Sequence, residues 1–384
     1  MAYRPRRDLG LVFFMVAGLL IGACEDDSTK PPPVDNEGQT TFRHDTFGNE
    51  VFWTDTLQLH QVVQTSVSPV TALSVGLKVD SDMLPPGLLA TADLNDPATT
   101  VALLKLDAVL GLKAEVDSTN QITKLGITCA LCHSTVDNSV MAGIGRRKDG
   151  WANRDLDVGA IVALSPALTP EQRDVYSNWG PGRYDPRYNI DGLNTPLVLP
   201  PAYGLADIDN ETFTAEGPIS YWNAYVAVTQ MHGQGNFSDA RLGIDVQHTP
   251  DLVTSKLPAL RDYQLSLPTP PPPDGSYDSV AADNGREVFE DHCESCHVGA
   301  RGTDNNNGVL HDPSETGMDG AYAARTATQQ YRTTPLRGLW QHAPYFHDGS
   351  AATLADVVAH YNTVLGLTLT AEEQSDLVEY LKTL

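Results

Sequence analysis

Two short stretches decide the fold of this 384-residue chain: Cys129-Ala130-Leu131-Cys132-His133 and Cys293-Glu294-Ser295-Cys296-His297. Both follow the pattern C-x-x-C-H, in which two thioether bonds fix one edge of a porphyrin and the next histidine reaches its iron. The motifs predict two covalently bound haem c groups. The predicted attachment residues are Cys129, Cys132, Cys293 and Cys296, and the predicted iron ligands are His133 and His297.

Two other roles for paired cysteines fit this sequence less well. A zinc site built from the four cysteines would leave the histidine after each pair without a function. A thioredoxin-like redox pair belongs to a βαβ unit, which the sequence pattern around neither motif indicates. Covalent haem accounts for all six residues.

The N-terminus indicates export. Three arginines precede an apolar run at 9–23 that is too short for a membrane span but typical of a signal peptide. The run ends in Leu20-Ile21-Gly22-Ala23-Cys24, which resembles the lipobox of bacterial lipoproteins, where the cysteine is lipidated. We therefore predict a signal peptide at 1–23, lipidation of Cys24, and a polar tether at 24–40. The alternative is an ordinary signal peptide with a chance cysteine. The lipoprotein would be held at a membrane by acyl chains only, facing the periplasm or the cell surface.

The charge of the chain excludes one class of partner. It carries 25 Lys and Arg against 49 Asp and Glu, a formal net charge of −24. Because such a surface repels phosphate backbones, nucleic-acid binding is excluded.

The remaining pattern predicts a mostly α fold with two cytochrome c-like haem domains, long ordered loops and an N-terminal extension. Gly285, Val288 and Phe289 precede the second motif with the spacing of the opening helix of a cytochrome c domain, whereas alternation at 113–127 predicts a hairpin before the first motif. A proline-rich linker divides the body of the chain. The predicted segments are 41–267 (extension and first haem domain), 268–279 (linker) and 280–384 (C-terminal cytochrome c domain).

The C-terminal half contains Thr334-Pro335-Leu336-Arg337 followed by Ala343-Pro344-Tyr345-Phe346-His347-Asp348-Gly349. This resembles the signature of the bacterial di-haem cytochrome c peroxidase/MauG superfamily. Asn194-Thr195-Pro196-Leu197 and, later, Tyr221-Trp222 resemble the motifs of the family's first half more loosely. The N-terminal extension and extra residues after His133 resemble RoxA-type relatives, which are dioxygenases.

The resemblance implies roles for several residues. Arg337 would neutralise haem propionates, and Trp222 would carry electrons between the haems. Tyr361 occupies the position of the distal ligand of the second haem, with His360 and His347 as alternatives. His232 lies where the family has a distal glutamine, so it would move a proton or ligate the first iron.

Two basic groups, 145–147 and 151–155, are candidates to pair with haem propionates, the alternative being surface salt bridges.

The leading hypothesis is therefore a redox enzyme that reduces peroxide or O2 at the first haem, with the second haem as an electron relay. A non-catalytic electron carrier and a RoxA-like oxygenase are the alternatives. The acidic chain favours a small basic cytochrome as the electron donor. In this family a Ca2+ often bridges the two domains, so a Ca2+ site is implied as well.

Overall fold

Short helices, small two-stranded sheets and long loops make up the structure. The computed structural model describes residues 36–384, which cluster as one compact unit. The predicted signal peptide and Cys24 lie outside the described residues. Helix is much more extensive than strand, as the mostly α prediction requires. The division into two haem domains at 268–279 stays a prediction.

The helices before the proline-rich segment are mostly short. Two stretches are π-helical, Val51–Thr56 and Val226–Gln230. The α-helices are α1 (Asn36–His44), α2 (Leu59–Ser66), α3 (Pro69–Ser74), α4 (Leu88–Thr91), α5 (Pro97–Lys105), α6 (Ala130–His133), α7 (Val158–Ala163), α8 (Pro170–Ser177), α9 (Tyr188–Asp191), α10 (Ile219–Tyr225) and α11 (Leu257–Ser266).

Helix α1 begins inside the predicted tether. Residues 36–40 are helical because α1 packs against α11. The two helices approach so closely at Gly38 that a β-carbon there would overlap the carbonyl of Ala259. One turn later Phe42 is fully buried. The globular part therefore starts earlier than the sequence predicts.

Within the described residues, 36–384, the strands form five separate pairs. The hairpin predicted at 113–127 is present as an antiparallel pair that leads directly into the first motif. The strands are β1 (Val79–Asp80), β2 (Leu112–Val116), β3 (Ile122–Ile127), β4 (Ser134–Val136), β5 (Ile144–Gly145), β6 (Arg147–Asp149), β7 (Arg183–Tyr184), β8 (Leu197–Val198), β9 (Phe237–Asp239) and β10 (Ile244–Val246). Strands β1 and β5 pair in parallel, and the pairs β2–β3, β4–β6, β7–β8 and β9–β10 are antiparallel.

Residues 279–384, beyond the proline-rich segment, contain four α-helices. They are α12 (Ser279–His292), α13 (Pro313–Thr316), α14 (Leu354–Val364) and α15 (Ala371–Leu381). Helix α12 crosses α15 at Gly285, where a β-carbon would overlap the carbonyl oxygen of Asp376. Phe289, Leu377 and Leu381 are buried at this crossing. The glycine therefore permits the close pairing of α12 with α15.

The first motif lies between two apolar cores. One core includes Leu131 and contacts Cys132, and the other includes Ala130 and contacts Cys129. A third core lies under α12, α14 and α15, beside Cys293. Within residues 36–384, none of the helices has the length and apolar character needed to cross a membrane.

Candidate haem centre

One large cavity is lined by both motifs. Its volume is about 990 Å³, and its wall includes Cys129, Cys132 and His133 together with Cys293, Cys296 and His297. The four cysteines are free thiols, so neither pair is a disulfide. The cavity brings together all six residues predicted to hold haem.

The two motif histidines have the tautomer that an iron ligand needs. Nδ1 of His133 lies 3.0 Å from the carbonyl oxygen of Pro200, and Nδ1 of His297 lies 2.9 Å from that of Gly302. Because a carbonyl only accepts, each Nδ1 carries the hydrogen and each Nε2 keeps its lone pair. Burial lowers the pKa of His133 to about 4 and also lowers that of His297, so both imidazoles are neutral at pH 7.

The thiols are poor nucleophiles in this environment. Burial raises the pKa of Cys129 and of Cys132 to about 12, and that of Cys293 to about 11. A redox-active or zinc-binding pair needs thiolate, which a positive neighbourhood favours and burial among apolar groups opposes. The environment suits cysteines that become neutral thioethers.

Cys296 has polar neighbours outside the motif. Its sulfur, a carboxylate oxygen of Asp304 and a ring nitrogen of His311 lie within 4.8 Å of one another. Both ring nitrogens of His311 are already engaged, with Asp304 at 3.0 Å and Glu315 at 3.2 Å. The histidine is therefore held by two carboxylates.

Three residues compete as distal ligand at the second motif, and their bonding separates them. Nε2 of His360 lies 2.8 Å from the carbonyl of Thr316, and His360 is outside the cavity lining. Nε2 of His347 lies 3.0 Å from the hydroxyl of Tyr331, which itself donates to the carbonyl of Asp319, so Nε2 of His347 is a donor.

Tyr361 differs from both histidines. It lines the cavity, and its hydroxyl makes no hydrogen bond within residues 36–384. Burial raises its pKa to about 12, and Cys293 and Cys296 are charged neighbours in their thiolate forms. Of the three candidates, Tyr361 alone combines a position in the cavity wall with a potential ligand atom that makes no hydrogen bond in the described residues.

His232 lines the cavity with an equally free side chain. Its ring stacks on Phe52 with a centroid distance of 3.6 Å and makes no hydrogen bond in the described part of the chain. Its backbone φ is 60°, which β-carbon-bearing residues seldom adopt. Burial lowers its pKa to about 4. Phe52 lies in one π-helical stretch and His232 follows the other. π-Helical turns are often found at functional sites.

The sequence analysis missed a polar network in this wall. The hydroxyl of Tyr184 donates to Oε1 of Gln230 at 2.5 Å, and Nε2 of Gln230 donates to Oδ1 of Asn189 at 3.0 Å. All three residues line the cavity. The available signal was that Gln230 lies two residues before His232, the position for which the resemblance implies a distal glutamine.

Trp222 and Arg337 also line the cavity. The ring of Trp222, on α10, lies 4.8 Å from that of Tyr225. Nη1 of Arg337 donates to the carbonyls of Gly204 at 2.6 Å and Ala206 at 2.7 Å. Arg337 has no carboxylate partner among residues 36–384, so it is free to neutralise an anion.

The two basic groups have different environments. Nε of Arg147 lies 3.0 Å from Oδ2 of Asp80, in a buried ion pair, and Arg146 is exposed. Arg154 lines the cavity instead. Of the predicted propionate partners in these groups, Arg154 is therefore the one placed to act.

The match to a protein-family model lies in the C-terminal part of the chain. Residues 330–362 match the family model described as RoxA-like, cytochrome c-like. The methylamine utilization protein MauG of Methylophilus methylotrophus is 29% identical over 127 residues, which cover 28% of this chain and 37% of that protein. The chain thus aligns with little more than a third of this relative's length.

Two solved structures are similar at low TM-scores. Hydrazine synthase of Kuenenia stuttgartiensis has 22% sequence identity and a TM-score of 0.35, covering 50% of this chain and 73% of that chain. A MauG-like protein associated with microbial copper homeostasis has 21% identity and a TM-score of 0.28, covering 37% and 62%. TM-scores this low do not establish a common fold.

Proposed function

We propose that the chain, which is similar to MauG over part of its length, is a di-haem c-type cytochrome of the bacterial di-haem cytochrome c peroxidase/MauG superfamily that couples electron transfer to the reduction of peroxide or O2. The observation that carries the proposal is the single cavity lined by two C-x-x-C-H motifs, each with a histidine whose Nε2 lone pair is free. Haem iron supplies the redox chemistry when bound; the protein supplies attachment, ligation and proton movement.

The residues of the first motif would form the reactive site. Cys129 and Cys132 attach the porphyrin and His133 ligates from one side. His232, with neither hydrogen bond nor ion pair in the described residues, would accept a proton from peroxide and return it to the leaving oxygen. Reduction of one peroxide to two waters takes two electrons and two protons. Trp222 would bridge the two haems for electrons.

The residues of the second motif would form the electron store. Cys293 and Cys296 attach the porphyrin, and His297 and Tyr361 are the proposed ligands. An oxygen ligand in place of methionine lowers the reduction potential of the iron. Arg337 would neutralise a propionate.

The first experiment measures haem content and ligation together. Intact mass and pyridine haemochrome absorbance should give two covalent haems per chain. The electron paramagnetic resonance spectrum should report a distinct ligand field for each haem. One haem or none would overturn the proposal at its base.

A second experiment distinguishes the enzyme from a non-catalytic electron carrier. In the carrier, the free imidazole of His232 would ligate the first iron and block it. In the enzyme, CO binds the reduced wild type. His232→Leu then lowers the peroxide rate by roughly 10²- to 10⁴-fold and leaves CO binding intact. In the carrier, CO binds only after His232→Leu. His248→Leu, at an exposed position, is the control.

The match of residues 330–362 to a RoxA-like model favours one further candidate, an oxygenase. It predicts an oxygen adduct that persists in the protein as isolated and incorporation of both atoms of ¹⁸O2 into an organic product. Peroxide turnover without such incorporation would exclude it.

The remaining parts of the proposal concern location and partners. Lipidation of Cys24 would hold the exported protein at a membrane, and Cys24→Ser should move it to the soluble fraction. A small basic cytochrome would donate electrons, so its reaction rate should fall steeply with ionic strength. A Ca2+ bridging the two predicted domains would make ligation spectra sensitive to a chelator.

A further inference from the structure

Three arginines in the cavity wall form no ion pair with a carboxylate among residues 36–384, which is unusual for the buried arginines of this part of the chain. Arginines whose side chains are at most 6% exposed elsewhere each pair with a carboxylate: Arg147 with Asp80, Arg187 with Glu216, and Arg325 with Asp185 and Asp191. The cavity arginines Arg154, Arg332 and Arg337 make no such pair among residues 36–384. Arg332 and Arg337 have Glu211 and Asp207 as acidic neighbours beyond ion-pair distance. Within the described part of the chain, the titratable neighbours of Arg154 are only tyrosines and a histidine.

Two of the three arginines donate hydrogen bonds from their guanidinium N–H groups to backbone carbonyls. Arg332 donates to Thr212 at 2.5 Å and to Glu211 at 3.0 Å, and Arg337 donates to two carbonyls as described above. Arg154 has one weak contact, from Nη1 to the carbonyl of Pro344 at 3.5 Å. Its Nε is buried without any hydrogen-bond partner. The guanidinium of Arg154 is therefore the least satisfied cation of the cavity.

The backbone of Arg154 is fixed beside the first motif. The preceding residue, Asn153, donates its N–H to the carbonyl of Cys132 at 2.9 Å, and its side chain donates to the carbonyl of Gly76. A β-carbon at Gly182 would come within 2.6 Å of the carbonyl of Arg154, so a third segment presses on it from the other side. The position of the guanidinium is set by the fold.

The tip of the side chain faces neutral groups of both halves. Tyr203, Tyr345 and His342 are its titratable neighbours, and the pKa of each shifts away from the charged form. Burial raises the pKa of Tyr203 above its usual value, raises that of Tyr345 to about 12 and lowers that of His342 to about 3. The same burial lowers the pKa of Arg154 to about 10. A cation in this environment requires an anion to balance it.

We propose that Arg154 binds a haem propionate at the boundary between the first-motif segment and the C-terminal signature. A carboxylate fits the free Nε and Nη edge of a guanidinium as a bidentate pair. Because Arg154 belongs to the first-motif segment and contacts Pro344 of the signature, the bound carboxylate ties the two segments together. This inference rests on the proposed function only in requiring haem; it does not depend on peroxide chemistry.

The test is a spectroelectrochemical titration of both haems in full-length holoprotein, from pH 5 to pH 8. A guanidinium keeps a bound propionate ionised throughout this range, so the wild-type potential of that haem should be nearly independent of pH. In Arg154→Met the lost positive charge should lower the midpoint potential of one haem. The released propionate should then titrate, so that the potential falls further as pH rises.

Two further variants separate binding from a general structural effect. Arg154→Lys keeps the charge but not the bidentate geometry, and should shift the potential less than Arg154→Met does. Arg146→Met removes an exposed arginine of the neighbouring basic group and should change neither haem. Equal potentials and equal pH profiles in wild type and Arg154→Met, with two haems still attached, would overturn this inference alone. Absence of covalent haem from the wild type would overturn the proposed function instead.

Discussion

The two motifs have the same five-residue pattern but are held in different ways. Around the second motif the backbone bonds are local: Cys293 N–H donates to Phe289 and His297 N–H to Cys293, and the His297 ring donates to Gly302. Around the first motif the partners are distant in sequence. Asn49 bonds both the N–H and the carbonyl of Ile127, and Thr128 donates to the carbonyl of Arg43. One site is built by its own helix and loop, and the other by the surrounding fold.

The difference predicts unequal consequences when haem attachment is removed, and this is the largest effect we expect. Cys129→Ser/Cys132→Ser and Cys293→Ser/Cys296→Ser should each remove about half of the covalent haem. The first double variant should also lower the melting temperature more, because segments distant in sequence converge on that motif. Haem staining after denaturing electrophoresis and thermal unfolding measure the two effects. Equal losses of stability would contradict the comparison.

The same difference explains what the sequence could predict. The helix before Cys293 and the final helix were predictable because glycine, apolar spacing and the Thr370 capping box are local signals. The hairpin before Cys129 was also local, and the structure contains it. The partners of the first motif could not be predicted, since nothing in the sequence near Asn49 or Arg43 indicates what they contact.

Some local signals were present and overlooked. Residues 143–204 contain α7, α8 and α9. Helix α8 begins with a capping box of Thr169 and Gln172, with Pro170 as its first residue. Helix α5 ends at Lys105, although apolar residues continue beyond it, because Asp107 and Gly111 have positive φ. That turn is required: a β-carbon at Gly111 would overlap Leu131 of the first motif.

The candidate site was predictable where a residue type carries its own chemistry, as with the six motif residues. It was less predictable where the environment decides. Arg147 and Arg154 look alike in sequence, but one has a buried carboxylate partner and the other faces the cavity. His347 and His360 lose their claim as ligands only through the hydrogen bonds that their ring nitrogens make.

A glycine substitution tests whether the second site depends on the packing of α12 against α15. Gly285→Ala should destabilise the protein by about 2 kcal/mol, because the methyl group would overlap the Asp376 carbonyl and separate α12 from α15. Gly320→Ala is the control, since its β-carbon would make only ordinary contact with Pro313. Denaturant unfolding of the holoprotein measures both. Similar stabilities for the two variants would mean that the helix crossing does not limit stability.

Glu211, in the wall of the cavity between the two motifs, gives a prediction about how folding stability depends on pH. Burial raises the pKa of Glu211 to about 7, and its Oε2 is buried without a partner. The unfolded chain releases this proton near pH 4.5 and the folded chain near pH 7. Folding stability therefore falls as pH rises through this window and is lowest above it.

Glu211→Gln should remove this loss of stability. Above pH 7 the variant should be more stable than the wild type by about 1–2 kcal/mol, allowing for partial solvent screening. Below pH 4.5 the two should be equal. Glu287→Gln, at an exposed position of α12, is the control for the loss of a charge. Unfolding by denaturant at pH 4.5, 6 and 8 measures the difference, and parallel curves for wild type and Glu211→Gln would contradict it.

The smallest expected effect is the difference in stability lost when the same kind of helix cap is removed in two environments. Thr370 caps α15 and Thr169 caps α8, each in a complete capping box. Thr370→Ala should cost about 1 kcal/mol, because fraying of α15 exposes Leu377 and Leu381 of the core beside the second motif. Thr169→Ala removes the same bonds from α8, which has no buried residues, so the first turn can open with little loss of packing. Its cost should be smaller, as measured by denaturant midpoints at constant m-value. If the two costs were equal, the cap bonds alone would set the energy, and the packing of α15 under the second motif would contribute nothing to it.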